Sequence, residues 1–159
     1  MKKSFIIILC LFVAGCSSSV PRHQDTAVKI PQLSAEQARL YFLRPQRPYL
    51  TQRAAPITID DRLVGNCQNG RFFYIDVIPK ALSISCRLWD LVGTSTLKIT
   101  PQKGGTYYIQ IGPRDEKPPA GILAEDPGTI SGSGGAFSLH AIKKEVALRL
   151  LSELDYLPQ

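Results

Sequence analysis

Between residues 40 and 111 seven short apolar runs recur, each stopped by turn residues before it reaches the length of a helix. The runs are 40–44, 57–60, 63–67, 72–77, 82–88, 96–100 and 106–111. Within them side chains alternate with period two, which places successive residues on opposite faces of a strand. Phe73, Ile75 and Val77 share one face; Leu82, Ile84, Cys86 and Leu88 share another, against Ser83, Ser85 and Arg87. The stops are Pro45, Asp60-Asp61-Arg62, Asn69-Gly70, Pro79-Lys80, the loop after Leu88 and Lys103-Gly104-Gly105. Asn69-Gly70 is a strong hairpin signal, because a type I′ turn needs positive φ at both central residues. The spacing predicts a mainly β domain over 38–111, an antiparallel sandwich or small barrel of about seven strands.

The chain's beginning dictates a different fate. Lys2 and Lys3 precede ten apolar residues, 5–14, and then Gly15, Cys16 and three serines. A positive start, a short apolar core and small residues at a cut site are the layout of a secretory signal. A retained membrane helix is the competing reading, but a span needs roughly 20 apolar residues. Val13-Ala14-Gly15-Cys16 resembles the lipobox of bacterial lipoproteins. The resemblance implies cleavage after Gly15, acylation (palmitate among the chains) of Cys16 through its sulfur, and acylation of the new amino terminus. It also implies an outer-membrane address, since Ser17 stands where an Asp retains enteric lipoproteins at the inner membrane. A signal peptide that leaves Cys16 unmodified is the alternative. One acyl chain holds a protein only marginally, whereas several make the anchor lasting.

With residues 1–15 as signal peptide, 16–37 reads as lipidated cysteine and tether, in which Ser34 and Gln37 fit a capping box. Loss of Lys2 and Lys3 takes the net charge from +6 to +4. That is mild, and no Lys/Arg run reaches five, so nucleic acid is not an expected partner. An envelope protein, a cell-wall polymer and the membrane itself are. Residues 112–136 are rich in Gly, Pro and Ser and predict an irregular loop. From 137 to 154 the period turns helical: Leu139, Ile142, Val146, Leu150 and Leu154 form a stripe, predicting an amphipathic C-terminal helix. That stripe suits a core face, or alternatively a docking face.

Cys67 and Cys86 are the pair left for an oxidising periplasm. Cys86 lies in the inward row of its run, and a Cys67–Cys86 disulfide is expected. Closing 20 residues, it would contribute roughly 3 kcal/mol; two buried thiols are the alternative.

No reaction is legible. Ser131-Gly132-Ser133-Gly134-Gly135 lacks the first Gly of G-x-S-x-G and the last Gly of G-x-G-x-x-G. His140 has no second His or Cys at zinc spacing. Asp60 and Asp61 are turn formers, not an acid–base pair. No catalytic residue, metal or cofactor is expected. Tyr108, Phe72, Tyr74 and Trp89 are candidates for an aromatic patch that takes glycan or peptide, with core packing as the plainer role.

Leu40-Tyr41-Phe42-Leu43-Arg44-Pro45, Ile57-Thr58-Ile59-Asp60-Asp61, Val64-Gly65, Asn69-Gly70-Arg71-Phe72-Phe73, Val77-Ile78-Pro79 and Gly105-Thr106-Tyr107-Tyr108-Ile109 together resemble the DUF2846 family of small bacterial lipoproteins. The likeness covers about half the chain and implies a fold and an address. It carries no reaction and no functional residue. The expected function is an outer-membrane-anchored periplasmic lipoprotein with a non-catalytic binding or structural β-domain. The alternative is an accessory lipoprotein of a secretion or envelope-assembly machine, docking through its C-terminal helix.

Overall fold

A computed structural model describes residues 30–48, 50–115 and 135–159. The expectations for the signal peptide, Gly15, Cys16 and most of the 112–136 loop fall outside these residues. Nine strands are described: β1 (Ala38–Arg44), β2 (Ala55–Ile59), β3 (Arg62–Cys67), β4 (Arg71–Val77), β5 (Leu82–Cys86), β6 (Ser95–Ile99), β7 (Thr106–Pro113), β8 (Phe137–Ala141) and β9 (Asp155–Tyr156). One helix, α1 (Lys144–Leu151), lies between β8 and β9. The strands form a five-stranded sheet, β8-β7-β1-β4-β9, and a four-stranded sheet, β3-β2-β5-β6.

The two sheets face each other across the rows that alternation predicts. Leu40, Phe42, Phe73, Ile109 and Leu139 point in from the larger sheet, and Ile57, Ile84, Leu97 and Ile99 from the smaller. Full burial of such a side chain stabilises by about 1.5–3 kcal/mol. The mainly β sandwich is therefore present, with one difference in direction. β1 pairs with β7, and β4 with β9, in parallel. Parallel neighbours need long connections, and here the whole smaller sheet and β4 lie between β1 and β7 in the chain.

Two turns differ from expectation. Asn69-Gly70 does not join paired strands: β3 belongs to the smaller sheet and β4 to the larger. Only Gly70 has positive φ, +73°, and Arg71 N–H donates to the Gln68 carbonyl at 3.2 Å, so this is a three-residue crossing between sheets. Gly65 leaves room for Phe73 and Gln159, since a Cβ there would stand 2.9 Å from Phe73 Cζ and 2.5 Å from Gln159 Oε1. The two-residue I′-type geometry falls instead at Asp60-Asp61, with φ of +48° and +62°. Aspartate tolerates that region through local hydrogen bonding. Asp60 also takes the Ser83 N–H at 3.1 Å and the Lys80 ammonium at 2.8 Å, and Lys80 holds its carboxyl below the usual range.

The expected helix over 137–154 is shorter. Residues Phe137–Ala141 pair antiparallel with β7, and Phe137 and Leu139 enter the inter-sheet core. Period two competes with period 3.6 over this stretch, and the open edge of β7 decides it. α1 keeps eight residues, with Glu145 in its first turn and Arg149 in its last, each suited to the helix dipole. It is only weakly amphipathic: Ala147 and Leu151 are buried while Leu148 is half exposed. With Ile142 and Leu154 they pack on Leu43 and Phe72 of the larger sheet's outer face. No helix among the described residues is long and apolar enough to cross a membrane.

Strand directions give the sandwich two poles. At one, residues 30–37 lead into β1, beside Asp60-Asp61, Pro79 and Gly104-Gly105. At the other lie residues 45–48 and 50–54, Asn69-Gly70, residues 87–94 and Gly135.

Candidate functional site at the loop pole

Inward alternation along β5 runs one step past the strand: Leu82, Ile84, Cys86 and Leu88 are all buried. The chain then turns, and Trp89 is left 92% exposed. Its neighbours Leu91 and Val92 are exposed as well. The loop is pinned on both sides. Leu91 N–H donates to the Leu88 carbonyl at 3.4 Å, and Gly135 N–H to the Val92 carbonyl at 2.8 Å. Arg53 Nη1 meets Asp90 Oδ2 at 2.6 Å. At the foot of Trp89 is a cavity of about 430 Å³, with Pro56, Leu88 and Ala54 as apolar walls and Arg53, Asn66 and Asp90 as polar ones. Apolar and aromatic walls with a small number of convergent polar groups are the usual makings of a ligand site.

The aromatic patch expected from the sequence divides. Phe72, Tyr74 and Tyr108 do lie on one face, joined by Tyr41 and Tyr156, but Trp89 is elsewhere. Tyr41 stacks on Tyr108 with centroids 5.3 Å apart and meets Tyr74 at 5.6 Å; Tyr74 stacks on Tyr156 at 5.9 Å. Burial raises the pKa of Tyr41, Tyr108 and Tyr156. Arg39 closes this ladder. Its guanidinium lies 4.5 Å from the Tyr74 centroid and grips Asp76 through Nε at 2.6 Å and Nη2 at 2.7 Å. Its Nη1 donates to the Pro31 carbonyl at 2.8 Å, tying the incoming chain to the sheet. The cluster is packing between sheet, helix and tail.

Sequence reasoning also passed over Arg44. It is 3% exposed, and no carboxylate partners it among the described residues. Instead Nη1 donates to the Arg53 and Cys67 carbonyls at 2.5 and 2.9 Å, and Nη2 to Leu50 at 2.6 Å. Its guanidinium lies 4.6 Å from the Phe137 ring. Leu50 adopts φ +57°, a left-handed conformation costly for an ordinary residue, and this carbonyl contact helps offset the cost. A single charge closing the apolar run 40–44 was the signal available.

Cys67 and Cys86 are free thiols, both buried. The expected bridge is absent because they flank β2 in one sheet: Cys67 stands opposite Ala55 and Cys86 opposite Ile57. Two strand spacings come to about 10 Å, beyond the ~7 Å within which Cα atoms are bridged. Burial pushes both thiols up to about 12, against the smaller opposing pull of Arg44. His140 is also buried; its Nε2 lies 3.0 Å from Ser138 Oγ and its Nδ1 has no partner among the described residues. Burial lowers its pKa. Among the described residues no group of three or more His, Cys, Asp or Glu is placed to hold a metal ion.

No family model matches this chain, and neither the curated proteins nor the solved structures compared with it include a match.

Proposed function

We propose that this chain is a lipoprotein anchored in the outer membrane, its sandwich in the periplasm binding or bracing another envelope component without catalysis. The observation that carries the reading is Val13-Ala14-Gly15-Cys16 behind Lys2, Lys3 and an apolar run. Its likeness to the DUF2846 lipoproteins points the same way and rests on the quoted residues alone. The sandwich supports a binding role more than a reactive one. Arg44, Cys67, Cys86 and His140 are walled in, while Trp89 is exposed beside Arg53 and Asp90. Docking through the C-terminal helix has less to work with, since Ala147 and Leu151 already pack on the larger sheet. The test is Cys16→Ser in the native host. The variant should accumulate unprocessed or be released from the outer-membrane fraction; a variant that fractionates like wild type refutes anchoring at this cysteine.

A further inference from the structure

We propose that the loop pole is a saccharide site, with Trp89 as a stacking platform and Asp90, Arg53 and Asn66 as its polar contacts, taking an N-acetylated pyranose of an envelope polysaccharide. A pyranose ring presents one face of C–H bonds and a rim of hydroxyls. The C–H face carries slight positive charge and fits the negative face of an aromatic ring. Trp89 is open to solvent at 92% exposure, yet its loop is fixed at both flanks, so little order is lost on binding. The rim of such a sugar asks for planar groups that accept and donate in pairs. Asp90 and Arg53 are oriented by their 2.6 Å contact, their side chains still 23% and 48% exposed, and Asn66 lines the same cavity of about 430 Å³. Ala54, Pro56 and Leu88 give the cavity its apolar walls, suited to an acetamido methyl.

A bilayer is the rival occupant, since Trp with two aliphatic residues also suits a membrane interface. Two observations disfavour it. Asp90 stands between Trp89 and Leu91 and would be carried toward the lipid with them, which is costly for a carboxylate. The loop also lies at the pole opposite the one where residues 30–37 lead into β1. On the proposed anchoring at Cys16, bringing that pole to the membrane that holds the chain requires the sandwich to turn over on its tether. Only this second argument rests on the proposed function.

The experiment uses the chain from Ser17 onward, which keeps every described residue and carries no acyl group. A failed anchor is read by fractionation and leaves this test untouched. Trp89 is the only tryptophan, so its emission reports the site. Titration with tetra-N-acetylchitotetraose should give a saturable emission change, and purified peptidoglycan sacculi should retain the protein on sedimentation. By NMR titration, Trp89→Ala should bind at least about tenfold more weakly and Asp90→Asn measurably more weakly. Asp60→Asn, at the far pole, should bind like wild type. No saturable change with folded wild-type protein at millimolar tetrasaccharide, together with no retention on sacculi, overturns the proposal. So does full binding by Trp89→Ala. An emission blue shift on phosphatidylethanolamine–phosphatidylglycerol vesicles without any response to the saccharide overturns it in favour of a bilayer.

Discussion

Arg44→Met is the sharpest test of how the loop pole is held. The substitution keeps an unbranched stem beside Phe137 and removes the guanidinium. Three carbonyls, those of Leu50, Arg53 and Cys67, then lose their donor. Hydrogen bonds to a charged group contribute about 1.5–3 kcal/mol each, so the gross loss is on the order of 5–9 kcal/mol. Against this stands the cost of burying the charge, several kcal/mol; burial accordingly lowers the pKa of Arg44. The net destabilisation expected is about 2–4 kcal/mol, near 10 °C in Tm for a domain of this size. Urea unfolding followed by circular dichroism measures it. Arg44→Lys should fall between, because one ammonium lacks the flat fork that serves three carbonyls. Trypsin should also cut faster after Arg53, since the loop between β1 and β2 loses its tie; Arg47 precedes Pro48 and is not a tryptic site. A variant within about 1 kcal/mol of wild type, or more stable, refutes the argument. It would mean that the guanidinium costs as much to bury as its three bonds return, as happens in some buried ion pairs.

Thiol counting on the mature protein should find Cys67 and Cys86 unreactive when native and both free after unfolding without reductant; no free thiol refutes the separation across β2. Both thiols are raised to about 12 in the fold from an ordinary 9. Their contribution is therefore complete below pH 9 and lost as pH rises from 9 toward 12. At pH 10 each costs about 1.4 kcal/mol of stability, so the double variant Cys67→Ala/Cys86→Ala should lose less than wild type between pH 8 and pH 10. His140 has the opposite sign: its lowered pKa contributes stability above its unfolded pKa that is lost as pH falls through the folded value. His140→Gln should flatten the stability profile below about pH 6.5, and an unchanged profile refutes the burial argument. Truncation after residue 136 removes β8, α1 and β9 and should abolish cooperative unfolding; a truncated chain that unfolds cooperatively shows that the C-terminal segment is not core.

Strand existence was legible where alternation was strict. Leu82, Ile84 and Cys86 point inward as their spacing predicts, and so do Ile109 and Ile111. Sheet membership was not. Asn69-Gly70 reads as a hairpin locally, yet β4 finds its partner in β1, with Leu40 opposite Ile75 and Phe42 opposite Phe73. Such pairings depend on contacts far apart in the chain, which local turn chemistry does not encode. Residues 137–141 satisfied both a strand and a helix period, and only the edge of β7 resolves the choice. The bridge between Cys67 and Cys86 failed for a related reason: inward orientation is periodic and readable, whereas the strand lying between the two is topology. At the loop pole, Trp89 is recognisable as an aromatic residue after a strand, but its partnership with Arg53 and Asp90 joins residues 37 apart.

The anchoring claim is tested most directly by mass spectrometry of the amino-terminal peptide of protein purified from the outer membrane of the native host. The account predicts a peptide that begins at Cys16, with acyl chains on both its sulfur and its amino group, and no trace of residues 1–15. A peptide that begins elsewhere, or an unmodified Cys16, contradicts it.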